Sequence, residues 1–325
     1  VTLEQTKQRI VVKVGTSTLT HESGALDLWS MEHLVRTLAD LQGMGHQVIL
    51  VTSGAIAVGT AKLGLPERPK ELRMKQAAAA VGQCRMMHIY DKFFSEYNRS
   101  MAQILLTGDD VEDPERAEHL SNTFSALLEM GVIPVVNEND SVSSAEIETG
   151  RHKVLGDNDT LSAIVAELCR ADLLVLLSDI DGLYDADPKT HPEAKLLHQV
   201  TELTPEILEM AGGAGSWRGT GGMATKLKAA QIVTAAGCEV VIANGSKPAL
   251  LYDIVDGKPV DFRIRLSLPE SVVGKAGDRL EGKVHVYLPR GGDGFSSRNY
   301  YASQGIAACA YLYSYEPYTV VPQEP

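Results

Sequence analysis

Residues 215–226 read Gly215-Ser-Trp-Arg-Gly-Thr-Gly-Gly-Met-Ala-Thr-Lys226, a flexible run that passes at once into a helical pattern. Met223, Leu227, Ala230 and Val233 keep apolar residues on one face as far as Gly237, which places the glycines at a helix N-terminus with free backbone N–H groups. Such an end favours anions. Gly219, Gly221 and Gly222 carry no Cβ and let the backbone approach a polyphosphate, while Lys226, one turn into the helix, adds a positive charge. Taken alone, such a glycine-rich run is more often only a surface loop. A phosphate cradle needs other segments to supply the rest of a nucleotide site.

Two familiar phosphate motifs are excluded. The order Gly219-Thr-Gly221-Gly222-Met223-Ala224 is not a strand–GxGxxG–helix fingerprint, so a Rossmann reading has no support. Gly277-Asp-Arg-Leu-Glu-Gly282-Lys283-Val284 comes nearest to a P-loop, but Val284 stands where Ser or Thr would hold magnesium and no helical pattern follows.

Working outward, Arg9-Ile-Val-Val-Lys-Val14 is a buried parallel strand that breaks at Gly15-Thr16-Ser17. Lys13, at its carboxyl end, is placed to point at a phosphate rather than to snorkel from an edge. Leu28, Met31, Leu34, Val35, Leu38 and Leu41 predict a helix stopped by Gly43 and Gly45, and a strand follows over 47–52. Ser53 opens the next junction at the carboxyl edge, as a helix cap, a ligand contact or both. One or two helices are expected over 71–97, a strand over 101–106, and a helix capped by Asp113 with Pro114 at its first position.

The apolar strand over 132–136 ends in Asn137-Glu-Asn-Asp140, polar groups able to hold an amine or a carboxylate. Residues 141–155 suggest a hairpin and a lid. Gly156-Asp157-Asn158-Asp159 then starts a helix with more acidic groups than capping requires, so a carboxylate there could orient Lys13 and Lys226. A strand over 172–177 ends in Ser178-Asp179, and the loop around Gly182-Leu-Tyr-Asp-Ala-Asp-Pro188 is a candidate to contact a base or ribose. With a final strand over 239–243 taken to complete the sheet, the architecture is a three-layer α/β/α sandwich around a mainly parallel sheet.

From about residue 261 helical periodicity fades and tyrosines gather: Tyr287, Tyr300, Tyr301, Tyr311, Tyr313, Tyr315 and Tyr318 out of 11. The division is a domain over 1–260 and an extension over 261–325 that is β-rich or irregular. Of 325 residues, 44% are hydrophobic and 22% charged, with a formal net charge of −12. That balance argues against a nucleic-acid partner, and no apolar run approaches the roughly 20 residues that span a bilayer. Cys84, Cys169, Cys238 and Cys309 show no metal-ligand spacing and read as free thiols, which with no signal-peptide pattern at the N-terminus makes a cytoplasmic location the expectation.

Six ordered motifs resemble the glutamate 5-kinases, a branch of the amino acid kinase family, over about residues 9–258. They are Lys13-Val-Gly-Thr-Ser17, Thr52-Ser-Gly-Ala-Ile-Ala57, Asn137-Glu-Asn-Asp140, Gly156-Asp-Asn-Asp159-Thr-Leu-Ser-Ala163, Ser178-Asp179 with Gly182-Leu-Tyr-Asp-Ala-Asp-Pro188, and Gly219-Thr-Gly-Gly-Met-Ala-Thr-Lys226. The resemblance implies ATP- and Mg²⁺-dependent phosphorylation of the glutamate side-chain carboxylate, the first step of proline synthesis. It implies catalytic roles for Lys13, Asp159 and Lys226. ATP contacts are implied at Lys13, Ser178, Asp179, Thr220, Gly221, Gly222, Met223, Ala224, Thr225 and Lys226, and glutamate contacts at Ser53, Asp140 and Asn158. No protein residue is assigned to the metal. Proline feedback through the substrate site and a homo-oligomer, dimer or tetramer, are expected with it. Many bacterial members continue into a PUA domain, whose pattern residues 261–325 do not match.

Overall fold

The computed structural model describes residues 7–143, 157–186, 188, 191, 193–197, 199–200, 203–211, 222–234 and 236–257, together with short strands at 263–264, 279–282, 285–287, 309–311 and 318–321. The chain begins with β1 (Arg9–Val14), α1 (Thr16–Leu19), α2 (Leu28–Gly43), β2 (Gln47–Val51), α3 (Ala55–Lys62) and α4 (Leu72–Glu96). It continues through β3 (Met101–Leu106), α5 (Gly108–Glu112), α6 (Pro114–Glu129), β4 (Ile133–Glu138), α7 (Asn158–Leu168) and β5 (Leu173–Ser178). Then come β6 (Gln199–Val200), α8 (Pro205–Ala211), α9 (Met223–Thr234), β7 (Glu239–Asn244), α10 (Leu250–Val255) and β8 (Arg263–Ile264).

One sheet runs in the order β3-β4-β2-β1-β5-β7-β8-β6. Its first six strands are all parallel. Because alternate side chains of a strand face opposite layers, β1 divides the core in two. Ile10, Val12 and Val14 meet Met31, Leu34 and Leu38 of α2 and Met86, Tyr90 and Phe94 of α4. Val11 faces the other layer, with Phe124 of α6, Leu161 and Val165 of α7, and Leu227 and Val233 of α9. The three-layer sandwich is thus formed as the periodicities require.

The residues over 71–97 fold as one helix, α4, rather than two. Asn137 and Glu138 extend β4 past the expected end at 136. A larger correction concerns the sheet edge. The strand at 239–244 does not complete the sheet, because Arg263 and Ile264 pair antiparallel with Val241 and Val240 and bring β6 in behind them. Two-residue strands carry no periodicity, so nothing in the pattern announced them. Beyond 264, the described residues form two antiparallel pairs, β9 (Arg279–Gly282) with β12 (Tyr318–Val321) and β10 (His285–Tyr287) with β11 (Cys309–Tyr311). Among the described residues no helix is long and apolar enough to cross a membrane.

Two glycines bring α3 and α4 closer than any side chain would permit. A Cβ on Gly59 would lie 1.8 Å from the Ala78 carbonyl oxygen, and one on Gly82 would lie 1.8 Å from that of Ala55. In an open helix Gly→Ala stabilises by up to about 1 kcal/mol through backbone entropy. Here the sign reverses. Gly82→Ala should destabilise the protein by about 1–3 kcal/mol in urea unfolding as α4 is pushed off α3; a gain in stability would show that the two backbones do not meet this closely.

Candidate active site

The carboxyl ends of the parallel strands bear a row of polar groups. Strand register aligns Val14 with Leu177, Val51 with Val136, and Ser178 with Asn244. The first connection from β1 leads to β2 on one side, and that from β5 leads towards β7 on the other, which makes the β1–β5 junction the crevice where open α/β sheets take ligands.

Lys13 lies two residues after Val11 and therefore faces the layer of α7 and α9. The first turn of α7 offers Asp159 and that of α9 offers Lys226. Lys13 Nζ is 2.7 Å from Asp159 Oδ1, and Lys226 Nζ is 3.1 Å from Oδ2. Thr225 Oγ1 lies 2.7 Å from Asp159 Oδ2, in donating reach of it. The side chain of Asp159 is fully buried, and those of the two lysines are 8% and 6% exposed. Asp159 is available for this because Asp157 does the capping: its carboxylate accepts from the backbone N–H groups of Asp159 and Thr160.

Burial drives the Asp159 carboxyl upwards, but the two ammonium groups outweigh it and hold the group below the ordinary carboxylate range. Burial lowers the pKa of Lys13; Asp159 opposes the drop, Lys226 adds to it, and the group ends below an ordinary lysine. Two cations on one anion leave the cluster with a net charge of +1 in a nearly dry setting. An anion is its natural complement.

Ser53 and Asn158 reach the same edge. Ser53 is not a helix cap: Gly54 holds that position at φ 98°, where a Cβ would crowd Thr16, and Ser53 Oγ donates to Val14 O at 3.1 Å. Its hydroxyl also lies 3.2 Å from that of Thr16, a partner the motif did not single out. Asn158 Nδ2 donates to Thr52 O and, at 3.1 Å, to Asn137 Oδ1. Asp140 follows β4 and lines a cleft of about 370 Å³ whose walls include Ala55, Gln83, Cys84, Met87 and Glu138. Ser53 and Asn158 are not among its walls.

At the end of β5, Ser178 is buried and its hydroxyl donates to the exposed Asp179 at 3.3 Å. Asn244 holds the following loop by donating to Asp181 at 2.8 Å. Gly222 is exposed ahead of α9, Ala224 is exposed, and Met223 packs against the core beneath α9. Thr220 and Gly221 lie outside the described residues, as do residues 144–155 of the expected hairpin; Val142 and Ser143, at its start, turn back onto Asn139 O.

The family model for the amino acid kinase family matches residues 8–244. The chain belongs to that family. Its amino acid kinase region is 54% identical to a glutamate 5-kinase of Clostridium perfringens over 253 residues, covering 78% of this chain and 93% of that protein. A glutamate 5-kinase of Clostridium tetani is 53% identical over 253 residues, covering 78% and 92%. Among solved structures, carbamate kinase from Giardia lamblia bound to AMP-PNP superposes with a TM-score of 0.57 at 15% identity, over 80% of this chain and 99% of that one. T. acidophilum isopentenyl phosphate kinase gives 0.54 at 19%, over 79% and 100%. At such identities the two structures speak for the amino acid kinase fold alone.

The cluster sets how stability varies with pH. A carboxylate whose pKa falls on folding stabilises the protein above its unfolded value, here 3.8, and that contribution is lost as pH drops through the lower folded value. Asp159→Asn leaves two buried lysines without their counter-charge. It should cost about 3–5 kcal/mol near pH 7 and flatten the loss of thermal stability between about pH 5 and pH 2, as read by calorimetry. An acid limb unchanged by the substitution would mean that Asp159 does not carry it.

Proposed function

We propose that this amino acid kinase transfers the γ-phosphoryl group of ATP to the side-chain carboxylate of L-glutamate, giving L-glutamyl 5-phosphate and ADP at the start of proline synthesis. One observation carries the chemistry: a fully buried Asp159 carboxylate held between two ammonium groups. Identity above 50% to glutamate 5-kinases supports the substrate.

A glutamate carboxylate, with a reference pKa near 4.3, is ionised at neutral pH and needs no general base. What the site has to do is bring two anions together and neutralise the charge on the group passing between them. In this reading Lys13 and Lys226 face the transferring phosphoryl group and Asp159 fixes both. Thr225, Gly222, Ala224 and Met223 start the helix that receives the ATP phosphates, with Thr220 and Gly221 before it. Ser178 and Asp179 lie toward the rest of the nucleotide. Mg²⁺ would come with the ATP phosphates and offset their charge.

On the other side, Asp140 holds the α-amine, and Ser53 and Asn158 shape the edge beside it, their hydrogens already given to Val14 O, Thr52 O and Asn137 Oδ1. Proline shares the amine and α-carboxylate of glutamate, so feedback at the same cleft follows from the same contacts. Self-association belongs to this proposal as well, with the exposed Leu28 and Trp29 of α2 as an apolar face for it, and so does a cytoplasmic location, where free thiols such as Cys84, Cys169 and Cys238 persist.

ADP should form from ATP with L-glutamate and not with aspartate, acetylglutamate or UMP; turnover with UMP or aspartate alone would defeat the substrate assignment. Lys226→Ala and Asp159→Ala should lower kcat by about 10²- to 10³-fold with smaller effects on the glutamate KM. Asp140→Ala should mainly raise that KM. The opposite pattern would exchange the two sets of roles.

The kinase domain is taken as residues 1–260 plus the β8 strand it recruits. The C. perfringens relative is matched over 93% of its length by the 253 residues in common, whereas the glutamate 5-kinase of Moorella thermoacetica is matched over 65% of its length. A chain ending just after Ile264 should keep the kcat and glutamate KM of the full chain. A truncated protein that is folded by circular dichroism yet inactive would place part of the site in residues 265–325.

A further inference from the structure

The cleft beside Asp140 contains a polar group that none of the roles above uses. Gln83 is 7% exposed on α4 and lines the cleft, yet its Nε2 has no hydrogen-bond partner among the described residues. A buried amide donor without an acceptor is unfavourable and calls for an explanation. The orientation of that amide is dictated from a distance. The carbonyl oxygen of Thr52 can only accept, so Asn158 must turn its Nδ2 towards it. The same Nδ2 donates to Asn137 Oδ1 at 3.1 Å, which turns Asn137 Nδ2 the other way, onto Gln83 Oε1 at 2.9 Å. With Oε1 committed, Gln83 is left with its N–H groups unspent. Flipping any one of the three amides would set donor against donor or acceptor against acceptor.

The surroundings select what the donor takes. The cleft walls combine the small Ala55, Ala79 and Ala80 with the polar Gln103, Asn139 and Ser141, and Asp140 and Glu138 are the charged residues. The contact of Gly82 with the Ala55 carbonyl holds this part of α4 against the first turn of α3, next to the free N–H groups at that helix start. Acidic groups suit an amine, and the amide donors suit an anionic oxygen.

We propose that Gln83 is a specificity-determining residue that donates to the α-carboxylate of the amino-acid substrate, in an orientation set by the Thr52–Asn158–Asn137 chain. The proposal rests on glutamate being the phosphoryl acceptor. It gives each end of the substrate its own partner: the amine goes to Asp140, the α-carboxylate to Gln83, and the side-chain carboxylate to the lysine cluster.

The test compares L-glutamate with its α-amide, L-isoglutamine, on the full chain, with apparent affinity read as KM or as a competitive inhibition constant. Gln83→Glu keeps the acceptor for Asn137 and replaces the donor with a negative charge. It should weaken L-glutamate by about ten- to a hundredfold and the α-amide much less, because the amide N–H can donate to the new carboxylate. The preference should move towards the amide by at least about tenfold. Gln83→Met, similar in size and without the donor, carries the same measurement should the carboxylate variant not fold, and it should shift the ratio in the same direction. If the folded variants lose activity equally on both compounds, so that the ratio stays within about twofold, Gln83 is a packing residue and the proposal is overturned. If the unmodified protein phosphorylates another acceptor and not L-glutamate, the reading of the substrate is what has failed.

Discussion

The rest of the structure depends on one buried carboxylate. Asp159 is completely enclosed, and a lone charge in that position would be driven to its neutral form at a cost of several kcal/mol. Lys13 and Lys226 keep it ionised, and it in turn keeps two like charges in one small space. Without that anion, two ammonium groups would face each other in a nearly dry space. The surplus of one positive charge sets the cluster apart from a neutral buried ion pair and is the basis for proposing an anionic ligand there.

Three remote stretches of chain must converge for that contact, and each is delivered by an ordinary rule. Strand alternation turns Lys13 to the α7–α9 layer because Val11 belongs to that layer. A helix begins at Asn158, and its need for a cap is met by Asp157, which frees Asp159 to face inward. Lys226 stands in the first turn of α9, beside Thr225, which shares the same carboxylate. The parallel register then brings Thr52, Asn137 and Ser178 to the same edge, so that the charged cluster and the neutral amides become neighbours without a long loop between them.

Most of this was legible in the residues. Continuous Val, Ile and Leu runs announced buried parallel strands, Asp113-Pro114 announced a helix start, and three remote motifs each ended in polar groups at a strand's carboxyl end. What escaped the sequence depends on partners far along the chain. Asp159 itself was picked out by its motif; that Asp157 takes over the capping needs the helix in place. Gly59 and Gly82 look like poor helix residues until the other helix is in place, and only then do they explain how Ala55 and Gln83 come to share a wall. The antiparallel addition of Arg263 and Ile264 is too short to leave a pattern. The orientation of three amides is invisible in composition because Asn and Gln can face either way; only the Thr52 carbonyl breaks the tie.

If the proposed roles hold, the two halves of the site use different physics, and the difference suits their tasks. Where phosphoryl transfer takes place, charge is redistributed between ground and transition state, so fixed ammonium groups in a dry setting bind the two states unequally and can lower the barrier. The head of the amino acid undergoes no such change. Contacts to it are the same in both states, and neutral amides held in a set orientation serve selection better than further charges would: an analogue that lacks the matching group leaves a buried donor unpaired and is rejected for that reason. A third lysine in the cleft would bind many anions, the phosphates of the nucleotide included. A buried amide chain anchored on a backbone carbonyl offers donors of a single sense at a single place, and in the proposed roles it would separate the recognition of the acceptor from the charge that moves the phosphoryl group.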